Sequence, residues 1–315
     1  MQKSALLSNN KSILISVVGP TAIGKTALSI KLAQHFACPI ISCDSRQFFK
    51  EMSIGTAVPS ADELAAAEHH FIQNISIHDS YSVGDFEKQA IKKLTEIFKT
   101  NKFAILVGGS GLYVDAVCNG LDVFPTIDKS IREQLILDFE NFGINFLQQK
   151  LLELDEIYYR KLEIENPQTL QNPQRLMRFV EVCVGTNLPY SSFLQKQQLV
   201  RDFDVISIGI DADRTEIYDR INRRVDLMMN NGLLHEVLSL LQFQDLNALQ
   251  TVGYRELFDY LKDNCTLEFA IDEIKKNTRR FAKRQLTWFK KNENTTWFDF
   301  QTDVSDIIDF IDLKP

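Results

Sequence analysis

The run Ile13 to Val18 (ILISVV) leads directly into Gly19-Pro20-Thr21-Ala22-Ile23-Gly24-Lys25-Thr26, and few sequences restrict a fold as tightly. A continuous apolar, β-branched run is what a strand buried on both faces requires. The G-x-x-x-x-G-K-T spacing behind it lets the backbone wrap so that its N–H groups point at phosphate oxygens. Thr26 to Phe36, with Leu28, Leu32 and Phe36 at helical spacing, then adds the positive N-terminal end of a helix. Lys25 supplies a point charge, and the Thr26 hydroxyl is placed to ligand Mg²⁺. ATP, GTP and diphosphate esters all suit such a loop, so its ligand stays open at this level.

Further strands are expected at Ile40-Ile41, Phe103 to Val107 and Val205 to Ile210, with an edge strand at Thr296 to Phe300. Helical stretches such as Val83 to Lys99 lie between them, and that alternation predicts an α/β domain with a mostly parallel sheet. Between about Asp122 and Val200 no strand-like run occurs, and Pro125, Pro167, Pro173 and Pro189 punctuate helical segments. The expected architecture is therefore a P-loop-containing parallel sheet flanked by helices, with an inserted all-helical domain. The core takes residues 1–121 and 201–315, and the insertion 122–200.

No run approaches the eighteen or more apolar residues of a membrane span. Residues 1–12 lack the apolar block of a signal peptide and read as a lead-in. The five cysteines form no C-x-x-C pair, which argues against a disulfide framework or structural zinc and for the cytoplasm. A monomer is expected.

A net charge of −7 taken alone speaks against a nucleic-acid partner, yet Lys275 to Lys291 holds eight Lys or Arg and no acid. On a helical wheel Lys275, Lys276, Arg279, Arg280, Lys283, Arg284, Lys290 and Lys291 fall within one half-turn. Ile274, Phe281, Trp288 and Phe289 take the other side, as a packing face would. Such a stripe suits a phosphate backbone or a plain solvated face.

In open α/β sheets, ligands collect outside the carboxyl ends of the strands. Asp44-Ser45-Arg46-Gln47 and Gly108-Gly109-Ser110-Gly111 should thus face the loop. Asp44 could hold Mg²⁺ through water, act as a general base, or cap a turn. Asp211 closes a Walker-B-like run or caps a helix starting at Arg214. Adjacent His69 and His70 point in different directions and do not make a metal pair.

Eight ordered segments carry a resemblance: GPTAIGKT, DSRQFF, IGTAVPS, YSVGDF, VGGSGLY, NPQRLMR, QTVGYRE and RRFAKRQLTWF. From about residue 13 to 298 the chain resembles the tRNA dimethylallyltransferase (IPP transferase) family, in its bacterial form, since no C-x₂-C zinc element follows the core. The resemblance implies transfer of a dimethylallyl group from its diphosphate to N6 of the adenosine 3′ to the anticodon, position 37, in tRNAs that read codons starting with U. The loop Gly19 to Thr26 (Gly19, Pro20, Thr21, Ala22, Ile23, Gly24, Lys25, Thr26) would then grip the diphosphate and Mg²⁺ rather than a nucleotide such as ATP. Asp44 matches the family's catalytic aspartate, and Thr21 and Arg224 match residues that contact the diphosphate. The same carry-over assigns tRNA contacts to Asp44, Ser45, Arg46, Gln47, Ser110 and Arg132. It adds Gln174, Arg175, Leu176, Met177 and Arg178 in the insertion, and Gln250, Thr251, Val252, Gly253, Tyr254 and Arg255 in a later turn. It also turns Arg279, Arg280, Lys283 and Arg284 of the cationic stripe towards the anticodon stem-loop. Ser110 stands where the family usually has threonine, Phe49 where tyrosine is common and Val58 where lysine is frequent.

Overall fold

A computed structural model describes residues 11–194 and 200–314. Of the twelve residues read as a lead-in, 1–10 lie outside the described residues, whereas Lys11 pairs with Asp204 and Ser12 already opens the first strand. Six parallel strands form one sheet in the order β3-β2-β4-β1-β5-β6. They are β1 (Ser12–Val18), β2 (Ile40–Ser42), β3 (His69–His70), β4 (Phe103–Val107), β5 (Phe203–Asp211) and β6 (Thr295–Asp299). β1 lies at the sheet centre between β4 and β5, and with both faces covered its residues from Ile13 to Val18 are buried throughout. That double burial is why its sequence is apolar without alternation. β6 is the outer strand beside β5, as expected, whereas the two-residue β3 at the opposite edge is too short to leave a periodic signal.

Helices cover both faces of the sheet. Leu28, Ile30, Leu32 and Ala33 of the helix Lys25–His35 join Ile13, Ile15, Val17 and Ile208 in one core layer. Phe86, Ala90 and Leu94 of Val83–Ile97 pack with Leu14, Ile41 and Leu106 on the other face. The segments IGTAVPS and YSVGDF owe part of their composition to helix starts. Ser60 and Ser82 each form a capping box, with Glu63 and Asp85 respectively. A third apolar cluster gathers Met52, Val237, Tyr254 and Ile274.

The chain divides into two compact units, residues 120–199 and the remainder. The smaller is helical, with Leu147, Leu151, Leu176 and Val180 fully buried in a core of its own. Its helix Pro173–Thr186 starts as its sequence suggests. Pro173 occupies the first turn, and the Asn172 side chain accepts the Arg175 N–H at 3.1 Å. The look-alike segment at Pro167 begins only a 3₁₀ turn, Pro167–Gln171. Among the described residues no helix is long and apolar enough to cross a membrane.

Candidate functional site

Two glycines shape the phosphate loop. Gly19 has φ +148°, and a Cβ there would lie 2.4 Å from the Ile210 carbonyl oxygen of neighbouring β5. Gly24, at φ +107°, is the left-handed residue that opens the helix Lys25–His35. Within the loop the residues divide their work. Pro20 has no N–H to give a phosphate; its carbonyl and that of Gly19 instead accept Lys25 Nζ, at 2.8 and 3.0 Å. The Ile23 side chain is 3% exposed and belongs to the core, so only its backbone faces the loop interior. Two arginines of the helix Arg214–Asn230 strap the loop from outside. Arg220 Nε donates to the Ala22 carbonyl at 2.9 Å and Arg224 Nη1 to Thr21 Oγ1 at 3.4 Å.

Burial works against both charges here. It brings the Lys25 ammonium down to about 8, with Arg224 adding to the fall and Asp44 opposing it. The Arg224 guanidinium is likewise lowered by burial, and again Asp44 counteracts. The loop therefore holds two cations at a cost that a bound polyanion would relieve.

Asp44 stands at the end of β2 as the sequence places it. Its Oδ1 accepts the Arg46 N–H at 3.2 Å, a turn role, which leaves the other carboxylate oxygen without a hydrogen-bond partner among the described residues. Ser45 donates its N–H to Ser110 Oγ at 3.1 Å, joining the ends of β2 and β4. Arg46 reaches across to the carbonyls of Asn247 and Ala248, at 3.0 and 2.9 Å. Gln47 Nε2 donates to the Thr56 and Ala57 carbonyls, at 3.2 and 2.9 Å. Asp211 takes neither of its expected roles. Lys290 pairs with it at 2.7 Å, and Asp213 precedes the helix at Arg214.

Two cavities meet at this point. One, of about 430 Å³, is lined by the loop from Thr21 to Thr26 together with Asp44, Gln47 and Glu63. The other, of about 480 Å³, is lined by Arg46, Arg255 and Arg284 and by the rings of Tyr113, Phe281 and Trp288. Thr21, Asp44, Thr56, Arg224 and Gln285 line both. The proposed carboxylate and the loop threonine thus stand at the shared wall.

The helix Leu267–Phe289 departs from its helical-wheel reading. Ile274 and Phe289 are buried, but Phe281 and Trp288 are 39% and 37% exposed and face the larger cavity with Arg284. Trp288 Nε1 donates to Asp115 at 2.9 Å, and its ring lies where Gly111 leaves room for it. Three cations of the stripe are neutralised locally: Lys275 by Asp226, Lys276 by Glu273 and Lys290 by Asp211. Arg279 donates to Asn222 at 2.7 Å and Arg280 to Asn277 at 3.3 Å, while Lys283 and Arg284 are exposed.

Several residues assigned to RNA by resemblance serve packing instead. Leu176 and Met177 are 0% and 5% exposed in the core of the helical unit, because their helix turns that face inward. Tyr254 is fully buried, and its hydroxyl donates to Glu236 at 2.7 Å. Around Leu176 and Met177, Arg178 and Arg132 both pair with Glu181, at 3.1 and 3.0 Å, and Arg175 donates to Thr169. In the later turn, Gln250 donates to the Gln244 carbonyl, while Thr251, Val252, Gly253 and Arg255 line the larger cavity.

Sequence reading missed Gln285, Arg220, Thr56 and Glu236. Gln285 left only a weak trace, a polar residue on the same arc as Ile274, Phe281 and Trp288, which Asn277 and Thr278 share. The Glu236 carboxylate accepts the N–H groups of Ser53, Ile54 and Gly55 and so fixes the loop carrying Thr56.

The IPP transferase family model matches residues 47–292. The tRNA dimethylallyltransferase of Flavobacterium johnsoniae is 64% identical over 298 residues, covering 95% of this chain and 96% of that one. That of Flavobacterium psychrophilum is 63% identical, covering 96% and 98%. Among solved structures, the tRNA isopentenylpyrophosphate transferase of Bacillus halodurans is 37% identical with a TM-score of 0.70, covering 96% of each chain. A eukaryotic dimethylallyltransferase acting on tRNA is 25% identical with a TM-score of 0.78, covering 96% of this chain and 80% of that one. With its phosphate loop, its strand-end aspartate and relatives matching nearly end to end, the chain belongs to the IPP transferase family.

Proposed function

We propose that the protein is a tRNA dimethylallyltransferase, transferring a dimethylallyl group from dimethylallyl diphosphate to N6 of adenosine 37 in tRNAs that read codons starting with U, with release of diphosphate. The observation that carries this reading is the pair of cavities sharing Thr21, Asp44 and Arg224. A diphosphate ester held by the loop and a base entering the arginine-lined cavity would meet at that wall. The loop amides, Lys25 and Arg224 stabilise charge developing on the departing diphosphate, which is what ionisation of an allylic ester needs. Asp44 accepts a proton from the adenine N6 amine and orients it towards the allylic carbon.

Mg²⁺ fits the donors present. The Thr26 hydroxyl lines the loop cavity, and a hard cation shared with substrate phosphates needs few protein ligands. When bound it would neutralise diphosphate charge. The RNA partner engages the exposed cations Arg280, Lys283 and Arg284, and Arg132, Gln174, Arg175 and Arg178 on the helical unit. We assign the protein to the cytoplasm, a reading supported by its five free cysteines, and expect it to act as a monomer.

Incubation with dimethylallyl diphosphate, Mg²⁺ and unmodified tRNA carrying three adenosines at and after the third anticodon position should yield one prenylated adenosine per tRNA. Nuclease digestion and mass spectrometry read it, and an unmodified adenosine 37 would refute the assignment. A small-molecule prenyltransferase would instead act on free adenylate supplied in place of the tRNA.

A further inference from the structure

Gln285 is 5% exposed, and both polar atoms of its amide are hydrogen-bonded. Its Oε1 accepts the Thr21 N–H at 2.9 Å, and its Nε2 donates to the Gly109 carbonyl at 2.8 Å. The Thr21 amide, in a loop whose amides serve phosphate, is therefore committed to a side chain 264 residues away. What Thr21 offers the site is its hydroxyl, already beside Arg224. At the other end of the bridge, Gly109 is glycine because the amide passes there: a Cβ would lie 2.2 Å from Gln285 Nε2 and 4.0 Å from Asp44 Oδ2.

We propose that Gln285 is a positioning residue for group transfer, tying the loop that bears Thr21 to the strand end beside Asp44 so that leaving group and acceptor amine are held in line. The inference rests on the transfer reaction proposed above. Gln285 is carried by the same helix as Arg280, Lys283 and Arg284, so the element that meets RNA also fixes the diphosphate loop. A carboxylate and a leaving-group clamp on different strand ends keep their spacing only if those ends are joined. This amide is a side-chain bridge between the ends of β1 and β4 at that wall.

The test compares wild type with Gln285→Met, which keeps volume and removes both hydrogen bonds. At saturating substrates the single-turnover transfer rate per folded molecule should fall about 10- to 100-fold, with KM for tRNA within about twofold. Exchange of the Thr21 amide hydrogen should be at least about tenfold faster than in wild type. Gly109→Ala, with Gln285 intact, displaces the amide by crowding and should give a similar rate loss. The two losses combined should be clearly less than additive, and this second route stands if Gln285→Met folds poorly. An unchanged rate, a loss confined to KM for tRNA, or additive losses would each overturn the proposal. Wild type that transfers nothing refutes the assigned reaction instead, and Thr21 exchange still decides whether the bridge holds the loop.

Discussion

Lys25 keeps its proton less firmly than an exposed lysine because burial outweighs the support of Asp44. Bound diphosphate raises that pKa again, so the contribution of Lys25 to affinity is complete below pH 8 and is lost as pH rises through the bound-state value. Affinity for inorganic diphosphate should therefore fall above about pH 8 by at most about tenfold per pH unit. Titration calorimetry of wild type against Lys25→Met isolates the effect, since the variant lacks this slope. Asp44 is separable in a different way. Asp44→Asn keeps an oxygen for the Arg46 N–H, so the turn survives while the base is lost. Transfer should drop by at least about 100-fold with tRNA affinity in filter binding within about twofold. Parallel loss of both would return Asp44 to a purely structural role.

At the scale of elements, the helix Leu267–Phe289 shows why charge counts mislead. Its cations are equal in sequence but not in partners. Lys276 and Lys290 face carboxylates, whereas among the described residues Arg280 and Arg284 pair with none. Reversing Arg280 and Arg284 to Glu together should reduce the slope of log affinity for tRNA against log salt by about one to two. Reversing Lys276 should leave the slope within error, and equal effects at all three would mean that the stripe acts as undifferentiated charge. The loop after Met52 makes a second case. Three of its N–H groups sit on Glu236, and a Cβ at Gly55 would lie 2.6 Å from the Tyr254 ring. Gly55→Ala should cost about 1–3 kcal/mol by urea unfolding, since the ring is held by its own hydrogen bond and cannot retreat.

At the scale of the molecule, each unit carries its own core. Leu176→Ala empties a fully buried site in the helical unit and should cost that unit about 2–5 kcal/mol, while diphosphate affinity at the loop stays unchanged. Calorimetric unfolding together with diphosphate titration checks both halves of that expectation. The sequence by itself determined what is local: the buried run of β1, the glycines of the phosphate loop, the Asn172–Pro173 helix start, and Asp44 and Gly108-Gly109 at strand ends. Each of these is written in neighbouring residues, through dihedral limits, caps and periodicity. Burial of Leu176, Met177 and Tyr254 within motifs that read as RNA contacts needed the packing of helices against one another. So did the pairing of Asp211 with Lys290, and the exposure of Phe281 and Trp288 on an arc that reads as core. The phosphate loop opened the sequence as a site of unstated ligand. Tertiary structure decided its surroundings, because Arg220, Arg224 and Gln285 reach it from about 200 or more residues away, and no periodicity encodes a contact at that separation.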